Sequence, residues 1–246
     1  MPKRLLATLG RGMMMNSPGG SWALTKDFDI WDITPGVLRP EVLPPKNDDD
    51  PNSVIGGGEL NLAAAVALYE YFNPYLTVFA YGNRSPYLLQ RNYPSESEIM
   101  THLFQGIIRE RLGVNPRVDI FDEAARQVEG SGTFREVRNI LELALTKNFD
   151  EVVLVTVLVH MTRVLGMVAK HLQTPGLGNL RGKIQPEVSE CVLMRFEPAQ
   201  YANRVWELVS SKSYITNLRR EAAALEAMRS GVTQTTQLKS TPTSTK

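Results

Sequence analysis

Short apolar runs alternate with stretches of helical periodicity along this chain. Arg4 to Leu9, Tyr75 to Ala80, Arg117 to Phe121, Val152 to Val155 and Val188 to Phe196 read as strands. The run at Val152 to Val155 is too short for a helix and too continuous for a half-exposed strand. A strand buried on both faces of a parallel sheet has that pattern. Between these runs, Leu60, Ala63, Ala64, Ala67, Leu68 and Tyr71 mark one face of a helix from Glu59 to about Phe72. A second helix follows Ser95 and runs to about Leu112, with Gly113 in the C′ place. A third spans Phe134 to Leu145. A fourth is opened by His160 and Arg163, with Leu165, Val168 and Leu172 inward. Ser95 with Glu98, and Thr133 with Glu136, have capping-box spacing. Residues 198–230 read as one or two amphipathic helices. Residues 231–246 lack acids and have few apolar positions, so they are expected to be disordered.

Strands alternating with helices predict an α/β fold: a three-layer, Rossmann-like sandwich with a mostly parallel sheet, forming one domain over residues 1–230. Residues 13–53 interrupt it after the first strand. Trp22 to Thr25 and Asp29 to Thr34 alternate like a hairpin around Lys26 and Asp27, and a Pro- and Asp-rich loop runs from Pro35 to Pro51. Long connections in compact domains are often lids or partner-binding arms. The insertion leaves after the first strand and returns through Gly56-Gly57-Gly58, so it is expected to lie over the sheet's carboxyl edge. Those three glycines are either an anion cradle at a helix start or the hinge that returns the insertion.

Composition narrows the function classes. The 246 residues are 43% hydrophobic and 22% charged, with a net charge of +1. A nucleic-acid surface needs a clustered basic patch, and none is present. No stretch approaches the ~18 apolar residues of a membrane span. Leu5 to Leu9 is too short for a secretory core, and the single Cys191 fits a reducing cytoplasm. Gly10-Arg11-Gly12 has Met15 where a dinucleotide fingerprint needs its third glycine, so it reads as a turn leaving a strand. Asp48-Asp49-Asp50 reads as a solvated loop. His160 and His171 stand ~16 Å apart along one helix, so no metal site is expected.

In open α/β sheets, ligands bind outside the carboxyl ends of the strands. The residues that follow predicted strands or open helices there are Gly10, Tyr81, Gly82, Glu96, Ser131, Thr133, Thr156, His160 and Arg163. Arg163 offers a planar fork to a phosphate or carboxylate, and His160 can exchange a proton near neutral pH. Glu96 suits a base, or a partner for an ammonium or a ribose hydroxyl.

Val155-Thr156 followed by His160-Met161-Thr162-Arg163 resembles a signature of the YdcF/SanA/ElyC-like family, a bacterial family of largely unknown activity. Ser95-Glu96-Ser97-Glu98-Ile99-Met100 and the turn Tyr81-Gly82-Asn83 resemble two further family motifs, and the loop before Phe134 resembles a third in degraded form. Val157 and Val164 stand where the family has Ser and Ala. The resemblance implies a Rossmann-like domain that binds a small anionic or nucleotide-like ligand, S-adenosylmethionine among the candidates. Within it, Glu96 and His160 would be the catalytic residues of a transferase or hydrolase. The alternative is a non-catalytic interaction protein acting through the 13–53 insertion and the C-terminal helices.

Overall fold

A computed structural model describes residues 2–15, 21–26, 28–29, 54–84, 86–123 and 132–230. Its centre is a five-stranded sheet of β1 (Arg4–Thr8), β6 (Leu76–Phe79), β7 (Val118–Asp119), β8 (Glu151–Thr156) and β9 (Ile184–Val188). The order is β7-β6-β1-β8-β9, and every pairing is parallel. The fold is therefore α/β and Rossmann-like. The chain builds outward from β1 through β6 to β7, then returns to the other side of β1 with β8 and β9. The strand order thus reverses between β1 and β8, and a crevice at such a point is where doubly wound sheets take ligands.

Two hydrophobic cores make the outer layers. Leu6, Phe79, Val153 and Val155 face α1 (Gly58–Phe72), α3 (Glu96–Leu112), α6 (Ser189–Phe196) and α7 (Pro198–Ser210). Leu5, Ala7, Leu76, Val78, Val152 and Leu154 face α4 (Thr133–Thr146) and α5 (Leu158–His171) on the opposite side. Alternate residues of each strand serve opposite layers, because strand side chains alternate in direction. A short helix, α2 (Pro86–Gln90), precedes α3, and α8 (Lys212–Arg229) closes the described chain.

Four expectations change. The predicted strand at Val188 to Phe196 is the end of β9 followed by helix α6. Val188, Val192, Met194 and Phe196 imitate a period of two, but Ser189, Glu190, Val192 and Leu193 are the buried positions, at helical spacing. Pro186 is tolerated in β9 because that strand lies at the sheet's edge. The second capping box does not form: Gly132 is the N-cap of α4, with no side-chain bond. The predicted hairpin is also rearranged. β3 (Trp22–Leu24) pairs antiparallel with β2 (Met13–Met15), while β4 (Phe28–Asp29) pairs with β5 (Val54–Ile55). Lastly, Tyr71 and Leu165, read as inward, are 65% and 40% exposed, and Asn61 is buried instead. Trp31, the Pro35 to Pro51 loop, Asp48 to Asp50 and residues 231–246 lie outside the described residues.

The three glycines prove to be a tight return. Gly57 adopts φ 77°, and a Cβ there would stand 2.6 Å from Val157 Cγ1. Gly57 N–H donates to the Lys26 carbonyl at 2.8 Å, Gly58 N–H to Thr25 Oγ1 at 3.1 Å, and Glu59 N–H to the Thr25 carbonyl at 3.0 Å. The insertion itself caps α1. One turn further, Asn61 ties the reversal point together. Its Nδ2 donates to the Leu9 carbonyl at 2.9 Å and to Thr156 Oγ1 at 3.3 Å, and its Oδ1 accepts from Ser189 Oγ at 2.7 Å. Asn61→Ala leaves these buried groups without partners. Each such loss costs ~1–3 kcal/mol, so urea unfolding should show a destabilisation of about 3 kcal/mol. A loss below about 1 kcal/mol would mean that water replaces the amide.

Candidate functional site

The carboxyl edge begins with backbone N–H groups that have left the β ladder. After β1, Gly10 N–H donates to Glu136 Oε1 at 2.9 Å, and Arg11 and Gly12 N–H donate to Glu96 Oε1 at 2.7 and 2.6 Å. Tyr81 N–H, after β6, also reaches the Glu136 carboxyl. Ala80, at φ 40°, makes the turn that presents it. Two helices supply the two acids. Glu96 sits at the start of α3, positioned by a complete Ser95–Glu98 capping box. Glu136 lies in the first turn of α4, and this explains why it does not cap its own helix: its carboxyl is bonded across to two neighbouring strand ends. Gly10 leaves room for the Glu96 carboxyl, since a Cβ would fall 2.6 Å from Glu96 Oε2.

Burial raises the pKa of both acids and outweighs the N–H bonds that lower it. Glu136 is pushed to about 8, with the charge of Glu96 adding to the effect of burial. A third acid, Glu190 of α6, is also raised by burial. It accepts from Leu158 N–H at 3.2 and 3.0 Å and from Tyr214 Oη at 2.8 Å. It therefore occupies the start of α5, where the N–H groups have no partner within the helix.

The basic part of the site lies on α5. His160 is 1% exposed. Arg163 Nη2 stands 3.2 Å from His160 Nδ1. Guanidinium only donates, so Nδ1 accepts, and the proton of the neutral ring sits on Nε2. That buried Nε2 has no hydrogen-bond partner among the described residues. Burial lowers His160 to about 4, aided by the charge of Arg11, so the ring is neutral at pH 7. Glu221 of α8 places Oε2 2.8 Å from Arg163 Nε and Oε1 3.6 Å from His160 Nδ1. Burial favours its protonated form, but His160, Arg163 and Arg11 together hold it below the ordinary carboxyl value.

Arg11 joins the two groups. Its Nε donates to the Gly56 carbonyl at 2.9 Å. Burial lowers its pKa; Glu221, Glu96 and Glu190 oppose that, while Arg163 adds to it. Glu96 at the end of β1 and Arg163 and His160 on α5 thus sit within electrostatic reach of one guanidinium.

The remaining predicted residues are distributed as follows. Thr156 is buried at the end of β8 against Asn61. Tyr81 is a core residue whose Oη donates to Asp119 Oδ2 at 3.0 Å. Gly82 runs beside Glu136. Thr133 opens α4 without a capping bond. Ser131 lies outside the described residues. Sequence reasoning missed Arg11, Asn61, Glu136, Glu190 and Glu221 as site residues. Glu221 had a readable signal, since it interrupts the apolar stripe of Leu218, Ala222 and Leu225.

No family model matches the chain, and no match was found among curated proteins or solved structures. Among the described residues, no helix is long and apolar enough to cross a membrane, and no three His, Cys, Asp or Glu side chains gather as metal ligands.

Stability should depend on pH in a diagnostic way. Glu136 rises from 4.5 to about 8 on folding. Its contribution is complete below pH 4.5 and is lost as pH rises toward 8, because the native state alone keeps the proton. His160 falls from 6.5 to about 4, so it makes stability increase with pH, but only between those values. From pH 6.5 to 8, Glu136 acts without His160, and Glu96 acts in the same sense as Glu136. Chemical denaturation across that window should show stability falling by up to ~1.4 kcal/mol per pH unit per proton. Glu136→Gln should flatten the slope; a slope unchanged in that variant would remove Glu136 as its source.

Proposed function

We propose that this protein binds a small anionic molecule at the carboxyl edge of the sheet, where the strand order reverses between β1 and β8. The observation that carries the reading is the buried, unpaired Nε2–H of neutral His160, on a helix whose Arg163 is within electrostatic reach of Arg11. An unpaired buried donor costs ~1–3 kcal/mol unless an acceptor arrives. An anion offers acceptors to the ring and charge to both guanidiniums. The N–H groups after β1 and at the start of α5 already bond to Glu96, Glu136 and Glu190. Recognition therefore falls to side chains rather than to a glycine-rich phosphate cradle.

The ligand class is a carboxylate- or phosphate-bearing metabolite, in line with the resemblance to YdcF-like proteins and with work in the cytoplasm. S-adenosylmethionine is one candidate: its carboxylate suits Arg11 and Arg163, and its ammonium suits Glu96. In a group-transfer or hydrolytic reaction, neutral His160 would move a proton and Glu96 would act as a base. A non-catalytic interaction role has one feature of its own in support, the 72% exposed Trp206 on α7.

Calorimetric titration with a panel of phosphorylated metabolites, amino-acid-like carboxylates and S-adenosylmethionine tests the reading. Saturable binding of at least one compound is expected. Arg163→Ala should weaken it by on the order of 2 kcal/mol or more, about 30-fold. The cost to folding stability should be about 1 kcal/mol or less, as for a partly exposed pair. Equal losses in affinity and stability would make Arg163 a structural residue. A folded protein that binds no member of the panel would leave the interaction role.

A further inference from the structure

We infer that α8 is a displaceable plug: the Glu221 carboxylate stands where the charged group of an anionic ligand docks, and the ligand enters by moving the distal half of α8 off α5. The inference rests on the anion-binding reading above.

Three observations carry it. First, Glu221 behaves as a ligand anion would. It touches Arg163, approaches His160, and is the strongest charge acting on Arg11. Second, it serves the site incompletely. Arg163 Nε and Glu221 Oε2 are 2.8 Å apart, yet both are buried and neither completes a hydrogen bond. Such a contact has the distance of a hydrogen bond without its alignment. A free oxyanion can align its oxygens with Arg163 Nε where this tethered carboxylate does not.

Third, α8 is buried most deeply toward its N-terminal end. Tyr214 is 1% exposed and bonded to Glu190, and Ser213 and Asn217 are buried. Beyond Asn217, no side chain of α8 described for burial is fully buried. Among the contacts of the distal half are those of Glu221, the packing of Leu218 on the core and that of Leu225, whose Cδ1 lies directly over Gly166. Segments with few buried apolar contacts open at low cost.

Inorganic phosphate serves as the probe, added to the full chain and followed by calorimetry and by hydrogen exchange of peptides covering 218–229. Wild type should bind weakly, with faster exchange in 218–229 when phosphate is present. Glu221→Gln should bind at least tenfold more tightly, and adding Arg163→Gln should abolish that binding. Leu225→Ala keeps every site residue and loosens the helix, so it should tighten binding at least threefold even where Glu221→Gln fails to fold. Equal phosphate affinity in wild type, Glu221→Gln and Leu225→Ala, still dependent on Arg163, would overturn the plug and leave the anion site standing. No phosphate bound by any of these proteins would overturn both.

Discussion

The carboxyl edge of a parallel sheet leaves backbone N–H groups that burial forbids water to satisfy, and this constraint organises the whole domain. Here the acceptors come from the chain itself. Glu96 takes the N–H groups of Arg11 and Gly12, Glu136 those of Gly10 and Tyr81, and Glu190 that of Leu158. Each acid comes from a different helix, so each bond also fixes a helix to a strand end. Two opposing effects act on these carboxyls: N–H donors favour the charged form and desolvation favours the neutral one. Desolvation wins in all three.

That arrangement determines what the rest of the edge has to do. A doubly wound sheet ordinarily meets anions with backbone N–H groups at helix starts. With those groups committed, the anion recognition proposed above falls to Arg11, Arg163 and His160. Arg11 is the element common to both halves, because Glu96 beside the end of β1 and Arg163 on α5 both act on its guanidinium.

The three central strands β1, β6 and β8 were legible because they are buried on both faces and leave continuous apolar runs, as Val152 to Val155 do. The Ser95–Glu98 box was legible because capping is local chemistry. Its counterpart at Thr133 and Glu136 failed because a long-range bond to Gly10 competed with a local one, and spacing carries no trace of that competition. The predicted strand at Val188 failed for another reason: alternation and helical spacing coincide over eight residues. His160 and Arg163 were found from their place after β8, whereas Glu190 and Glu221 belong to helices whose docking onto α5 no local pattern reveals. Asn61 could have been suspected as a polar residue in an otherwise apolar helix start.

The central position of β1 has a consequence in time as well as in space. Leu5 pairs with Leu76 on one side and with Val152 on the other, and the Asn61–Ser189 bond closes a separation of 128 residues. Such non-local pairing slows folding, because loop closure must precede its reward. Domains emerge from the ribosome at ~5–20 residues per second. The first strand therefore waits roughly 7–30 seconds for its second neighbour, with one apolar edge unpaired throughout. Until then the unpaired N–H and C=O groups of that edge are open to pairing with any other extended chain, well before any question of ligand arises.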